Sequence, residues 1–266
     1  MLLVYIWIIV QLILEMVPVS SSGHLQLLEQ FYKKFFSFNI ETFFSAKKIS
    51  IKSFYYFLHG LTLLVVLFFF KQQLMQLFFG HETLLIKPII WMGIADSIIL
   101  FFYILVSYYN ISFGLHLGFL ITSVSLLSTV WCNSHTIFLD WNYSHAIILG
   151  LAQSLAFLPG ISRMAFTVAV GCWLNYSVMD AFFLSWLIQI PLMIGGSTKG
   201  AKELMQSNTI GEILNLPMVL VMIMGSGISW YILYIVFYTI KANTFYFFGW
   251  YMILPLAFWI WLNKKL

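Results

Sequence analysis

Gln11-Leu12-Ile13-Leu14-Glu15-Met16-Val17-Pro18-Val19-Ser20-Ser21-Ser22-Gly23-His24 is the stretch whose reading decides the fold. It sits between an apolar run, Met1–Val10, and an apolar return, Leu25–Leu28. A carboxylate, a proline, three hydroxyls and an imidazole break it too thoroughly for one clean membrane span. Proline lacks the N–H that continues a helix and biases the residue before it toward extended backbone. The pattern therefore predicts two half-helices meeting at a Pro/Ser/Gly turn, a re-entrant hairpin over residues 1–31. Non-helical backbone at membrane depth is tolerated only where protein or a polar cavity surrounds it.

Working outward, the same design recurs over residues 144–174, an apolar segment broken by Pro159, Gly160, Ser162 and Arg163. Val17-Pro18-Val19-Ser20-Ser21 matches Leu158-Pro159-Gly160-Ile161-Ser162 in placing a serine three residues after the proline, and the two prolines are 141 residues apart. Between and beyond these segments lie runs long enough to cross a bilayer: Phe54–Phe70, Pro88–Tyr109, Ile111–Trp131, Ala181–Gly196, Pro217–Ile240 and Thr244–Leu262. The expected order is hairpin, three spans, hairpin, three spans. The fold class is an all-α polytopic membrane protein, one domain over 1–266, with repeat one at 1–131 and repeat two at 144–266. An odd number of spans inverts the second copy. Many secondary transporters use such inverted repeats and place the site where the broken helices meet.

Composition agrees. Of 266 residues, 62% are hydrophobic and 8% charged, against about 25% charged in a soluble domain. That excludes a soluble enzyme, a disordered chain and a nucleic-acid-binding domain. If hairpins return to their own side, Lys33, Lys34, Lys47, Lys48, Lys52, Lys199, Lys202, Lys264 and Lys265 share one face, and Lys71, Lys87 and Lys241 the other. The excess puts both termini in the cytoplasm. The first apolar stretch has no basic n-region or small-residue cleavage site and reads as mature structure. Cys132 and Cys172 form no CxxC motif and suggest no zinc, haem or iron–sulfur site.

Ionisable groups inside the membrane are costly and by default mark function. Glu15 lies one helical turn after Gln11, on the same face. Ser20, Ser21, Ser22 and the Gly23 backbone can offer hydroxyls and N–H groups to an anion, and His24 can shuttle protons near neutral pH. Serines in membrane helices also commonly bond back to their own backbone, which is the packing alternative for each alone. Arg163 is the only arginine among 13 basic residues. In an apolar segment it needs an anion, and guanidinium is the preferred bidentate partner of phosphate. The packing alternative is an ion pair with Glu15. The two roles coexist if Arg163 holds Glu15 in the empty site and phosphate in the filled one. Thr167, one turn on, Gln153, and intramembrane His59 and Asp96 are further polar candidates. His81, His135 and His145 read as interfacial, and His116 as either.

Both broken segments resemble the signature motifs of the undecaprenyl-diphosphatase family, bacterial membrane proteins linked to bacitracin resistance. The first family motif runs roughly (E/Q)xxxE-x-x-P-x-S-S-x-G-H, and Gln11 through His24 follow it. The second runs roughly P-G-x-S-R-S-x-x-T, and Pro159-Gly160-Ile161-Ser162-Arg163-Met164-Ala165-Phe166-Thr167 follow it, with Met164 in place of a serine and Ala165 in place of a frequent glycine. Gln11 stands where many members carry glutamate. The resemblance implies hydrolysis of undecaprenyl diphosphate to undecaprenyl phosphate and inorganic phosphate, which recycles the lipid carrier of cell-wall synthesis. It implies catalytic roles for Glu15, Ser21, His24 and Arg163. It gives Gln11, Ser20, Ser22, Gly160, Ser162 and Thr167 to substrate binding. Ser21 or His24 is the nucleophile, the other serves proton transfer, and Glu15 is the base or the orienter of His24. A divalent cation, Mg or Ca, would enter through Glu15, a thin site with one carboxylate. The expected partner is a polyprenyl diphosphate lipid. The alternative function is a polyprenyl-phosphate flippase on the same inverted-repeat fold.

Overall fold

The computed structural model describes all residues except 1, 37–39, 47–49, 80–85, 110, 112, 133–141, 208–210, 212–213 and 265–266. Lys47, Lys48, His81, His135 and Lys265 therefore lie outside the described residues. Among the described residues there is no strand. The helices are α1 Leu2–Met16, α2 Ser21–Phe36, α3 Ile40–Ala46, α4 Ile51–Phe69, α5 Lys71–Phe79, α6 Ile86–Tyr109 and α7 Leu115–Ser128. They continue with α8 Tyr143–Ser154, α9 Arg163–Trp173, α10 Val178–Gln206, α11 Leu216–Lys241, α12 Phe247–Tyr251 and α13 Ile253–Asn263. Short 3-10 turns, Thr129–Trp131 and Leu155–Phe157, extend α7 and α8.

Helix starts follow capping chemistry. Asn142, Ser162, Ser177 and Asn215 each accept a hydrogen bond from an amide in the first turn of α8, α9, α10 and α11, satisfying donors that have no intrahelical acceptor. Among the described residues four helices, α4, α6, α10 and α11, are long and apolar enough to cross a membrane. Large side chains such as Phe68, Ile223 and Leu216 are exposed on the outer surface. Apolar exposure on that scale belongs against lipid. The protein is an integral helical membrane protein.

Several boundaries differ from the sequence expectation. α10 does not stop at Gly196 but runs on to Gln206 through Gly195-Gly196. Its 29 residues reach about 44 Å, and it absorbs the first half of the expected loop 197–216. Lys199 and Glu203, four apart, lie 4.0 Å from each other on that extension. The expected loop after Phe70 contains helix α5. The second arm of the first broken segment continues past residue 31 to Phe36, where Lys34 donates to the Leu262 carbonyl at the end of α13. The last apolar run is split at Met252 into α12 and α13.

Three pairings build the bundle: α4 along α10, α1 along α11 and α6 along α8. Close approach in two of them needs glycine. A Cβ on Gly150 of α8 would stand 2.8 Å from the Ala95 carbonyl of α6, and one on Gly200 of α10 would stand 2.6 Å from the Ser53 carbonyl of α4. Small residues let membrane helices approach where lipid offers no hydrophobic drive. Trp91, Phe119, Phe182, Trp186 and Leu187 fill the centre, each almost wholly buried.

Candidate active site

α1 ends at Met16 and α2 begins at Ser21. Between them Ser20 adopts a positive φ of 62°, an uncommon conformation for a residue with a side chain. It turns the chain sharply enough for the Ser20 hydroxyl to accept from the Gly23 amide at 3.3 Å and its carbonyl from the His24 amide at 3.1 Å. Ser20 thus caps α2. The second break repeats the device. Ser162 accepts from the Ala165 amide at 3.3 Å and caps α9. In each helix the first two amides have no intrahelical acceptor. Two positive helix ends are thereby presented.

The two turns touch. A Cβ on Gly23 would lie 3.0 Å from the Gly160 Cα and 2.7 Å from the Phe119 ring. Helix α7 holds both. The Thr122 hydroxyl donates to the Gly160 carbonyl and accepts from the Ser162 amide, each at 2.9 Å. Gly160 itself has φ +85°. Thr122 carried no signal in either motif, and only the fold reveals it.

Glu15 is the hub. Its Oε2 accepts from Gln11 Nε2 and from the Ser21 hydroxyl, both at 3.1 Å. Its Oε1 accepts from Arg163 Nη2 at 3.2 Å and faces His59 Nδ1 at 3.5 Å. The Glu15 side chain is 4% exposed and that of Arg163 29%, so the carboxylate is fixed while the guanidinium reaches an opening. Gln11, Glu15, Ser21, His59 and Arg163 are therefore one cluster drawn from α1, α2, α4 and α9. His59 joins it from α4, outside both motifs.

The ring nitrogens of His24 bond to partners other than Glu15. Its Nδ1 lies 2.9 Å from the Ser20 carbonyl and its Nε2 lies 3.2 Å from the Tyr251 hydroxyl. The imidazole that faces Glu15 is His59. Ser22 is exposed. Thr167 is buried one turn beyond Arg163, and its hydroxyl, like both amide atoms of Gln153, has no partner among the described residues. Asp96 stays on α6 with one carboxylate oxygen buried and unpartnered. His116 stacks on Trp259 and His145 bonds Tyr176, which gives both packing duties.

Residues 4–257 match the family model for bacitracin resistance protein BacA. The chain belongs to that family. Among curated relatives, an undecaprenyl-diphosphatase of Borrelia hermsii is 27% identical over 81% of this chain and 83% of its own length. One from Thermosipho africanus is 30% identical over 70% and 73%. An undecaprenyl-diphosphatase 2 of Halalkalibacterium halodurans is 25% identical over 90% and 88%. The BacA match covers both broken segments and the helices that bring them together.

Proposed function

We propose that this BacA-family chain hydrolyses undecaprenyl diphosphate to undecaprenyl phosphate and inorganic phosphate. One observation carries the reading. A single buried carboxylate, Glu15, accepts from Ser21 of the first motif and from Arg163 of the second, 148 residues from Glu15 in sequence. Such a meeting of nucleophile, base and guanidinium is what transfer of a phosphoryl group requires. The names of the relatives favour hydrolysis over the flippase alternative.

In this mechanism the terminal phosphate enters between the two helix N-termini. Arg163 leaves Glu15 for the phosphoryl oxygens, and the free amides at the starts of α2 and α9 accept the rest of the charge. Thr167, one turn into α9, keeps an unused hydroxyl, and Ser20, Ser22, Gly160 and Ser162 line or shape the turns. The Ser21 proton passes to Glu15 Oε2 as Oγ attacks the terminal phosphorus. The bond from phosphorus to the bridging oxygen breaks, and polyprenyl phosphate leaves. Water, giving up its proton to His24, then attacks the phosphoserine; the phosphorus–Oγ bond breaks, Ser21 Oγ takes back the proton held by Glu15, and inorganic phosphate leaves. Gln11 and His59 hold the Glu15 carboxylate in place.

A divalent cation held through Glu15 fits the donor set poorly. Two neutral donors point at one oxygen and a guanidinium occupies the other. A metal ion there would displace all of them for one charged ligand, against the several oxygen ligands hard cations take.

The topology reading is a pair of inverted repeats, 1–131 and 144–266, each a re-entrant hairpin and three spans. Helix pairing supports it. Exchanging the repeats maps α4 with α10 onto itself and α1 with α11 onto α8 with α6. With the lysine bias, both termini face the cytoplasm of the inner membrane.

Acid-quench of the purified protein turning over a C15 polyprenyl diphosphate, followed by mass spectrometry, tests the chemistry. The expected adduct is phosphate on Ser21. Phosphate on His24 in its place would reverse the two roles, and release of no phosphate by folded protein would end the proposal.

A further inference from the structure

His24 is held on three sides. Its Nδ1 faces a backbone carbonyl, Ser20 O, at 2.9 Å. A carbonyl only accepts, so Nδ1 carries the proton and Nε2 is a bare lone pair. That lone pair meets the Tyr251 hydroxyl at 3.2 Å. The Tyr251 ring lies nearly parallel to the imidazole, 6° between planes with centroids 5.8 Å apart, and Phe119 closes an edge at 5.5 Å. Tyr251 comes from α12, 227 residues from His24 and outside both motifs. It is 41% exposed, whereas His24 is 8% exposed.

We propose that Tyr251 is the proton relay between the attacking water and His24. Its hydroxyl occupies the one lone pair of Nε2, so a proton bound for that nitrogen passes through the phenol. This rests on the reading of His24 as a proton-transfer group. With neutral imidazole, the O–H donates to Nε2. As water attacks, the phenol O–H bond breaks and an N–H bond forms at Nε2, while one O–H bond of the water breaks and a new one forms on the phenol oxygen. The hydroxyl is restored, its oxygen accepts from the new N–H, and the proton stays on His24 until product leaves. The short helix α12 therefore serves the site although it carries none of the motif residues. Its seat is built for this. Ser123 of α7 donates to the Gly249 carbonyl at 2.8 Å, and a Cβ on Gly249 would stand 2.9 Å from the Ser123 carbonyl.

Tyr251→Phe keeps the ring and removes only the hydroxyl. In the intact protein, kcat for phosphate release falls about 100-fold, the lower end of what a positioned proton transfer contributes. KM stays within twofold and the unfolding midpoint is unchanged. Against a His24→Gln background, the same substitution produces no further loss. In 15N-histidine spectra, Tyr251→Phe moves the Nε2 resonance of His24. Wild-type kcat in Tyr251→Phe, a loss carried by KM, an equal loss in the His24→Gln background, or an unmoved Nε2 resonance would each overturn the assignment. A His24→Gln variant with wild-type kcat overturns the proton role of His24 itself, a separate failure from that of Tyr251.

Discussion

Gly118→Ala tests how tightly α7 clamps the second turn. A Cβ at Gly118 would stand 2.0 Å from the Pro159 carbonyl oxygen and 2.7 Å from the Gly160 Cα and carbonyl carbon. Non-bonded atoms rest at about 3.5 Å, so the turn must retreat by more than about 1 Å. It cannot do so freely, because Thr122 bonds it on both sides. Overpacking of this kind costs about 1–3 kcal/mol. The displaced turn carries Ser162 and Arg163, and a misplacement near 1 Å costs about 100-fold in rate. The assay is phosphate release per folded protein in detergent, beside thermal unfolding. Gly93→Ala is the control, since nothing lies within 4 Å of its Cβ position. The expected result is a lower midpoint and a loss of about 100-fold in Gly118→Ala, with neither in Gly93→Ala. Gly118→Ala with wild-type kcat would refute the clamped-turn reasoning.

Glu15→Gln removes the charge and turns one acceptor into a donor facing other donors. It should lower kcat by about 100-fold or more, the scale of a lost general base, measured by the same release assay. Thr122→Val leaves the Gly160 carbonyl and the Ser162 amide without their partner. The cost is about 2 kcal/mol or more, read as a lower unfolding midpoint with a parallel loss of kcat.

How much of this was legible in the sequence depends on where each signal lay. Ionisable residues in apolar context stand out, so Glu15 and Arg163 could be named from their cost alone, whereas Ser21 was singled out by the family resemblance. Arg163 in particular needs an anion, and the fold gives it Glu15. The breaks at Pro18 and Pro159 were visible because proline and glycine end helices locally. Helix ends set by packing were not. α10 runs through Gly195-Gly196 because α4 lies alongside it, a tertiary fact. Thr122 and Tyr251 were invisible for a related reason. A threonine or tyrosine in a membrane helix is ordinary, and only the meeting of distant elements gives it a partner. His59 was intermediate: an intramembrane imidazole is conspicuous, yet its sequence position does not say which carboxylate it faces. The expectation that Glu15 is the base or the orienter of His24 came from the family resemblance. The sharp turn at Ser20 swings His24 toward Tyr251 and leaves Glu15 to His59.

The central claim is that Ser21 and Arg163, brought together on Glu15, perform phosphoryl transfer. Phosphate release from a polyprenyl diphosphate by wild-type protein and by Arg163→Ala, with both shown to be folded, tests it most directly. The account predicts steady release by wild type and a loss of at least about 100-fold in Arg163→Ala, the scale of one lost transition-state charge contact. Release at the wild-type rate by Arg163→Ala would contradict it.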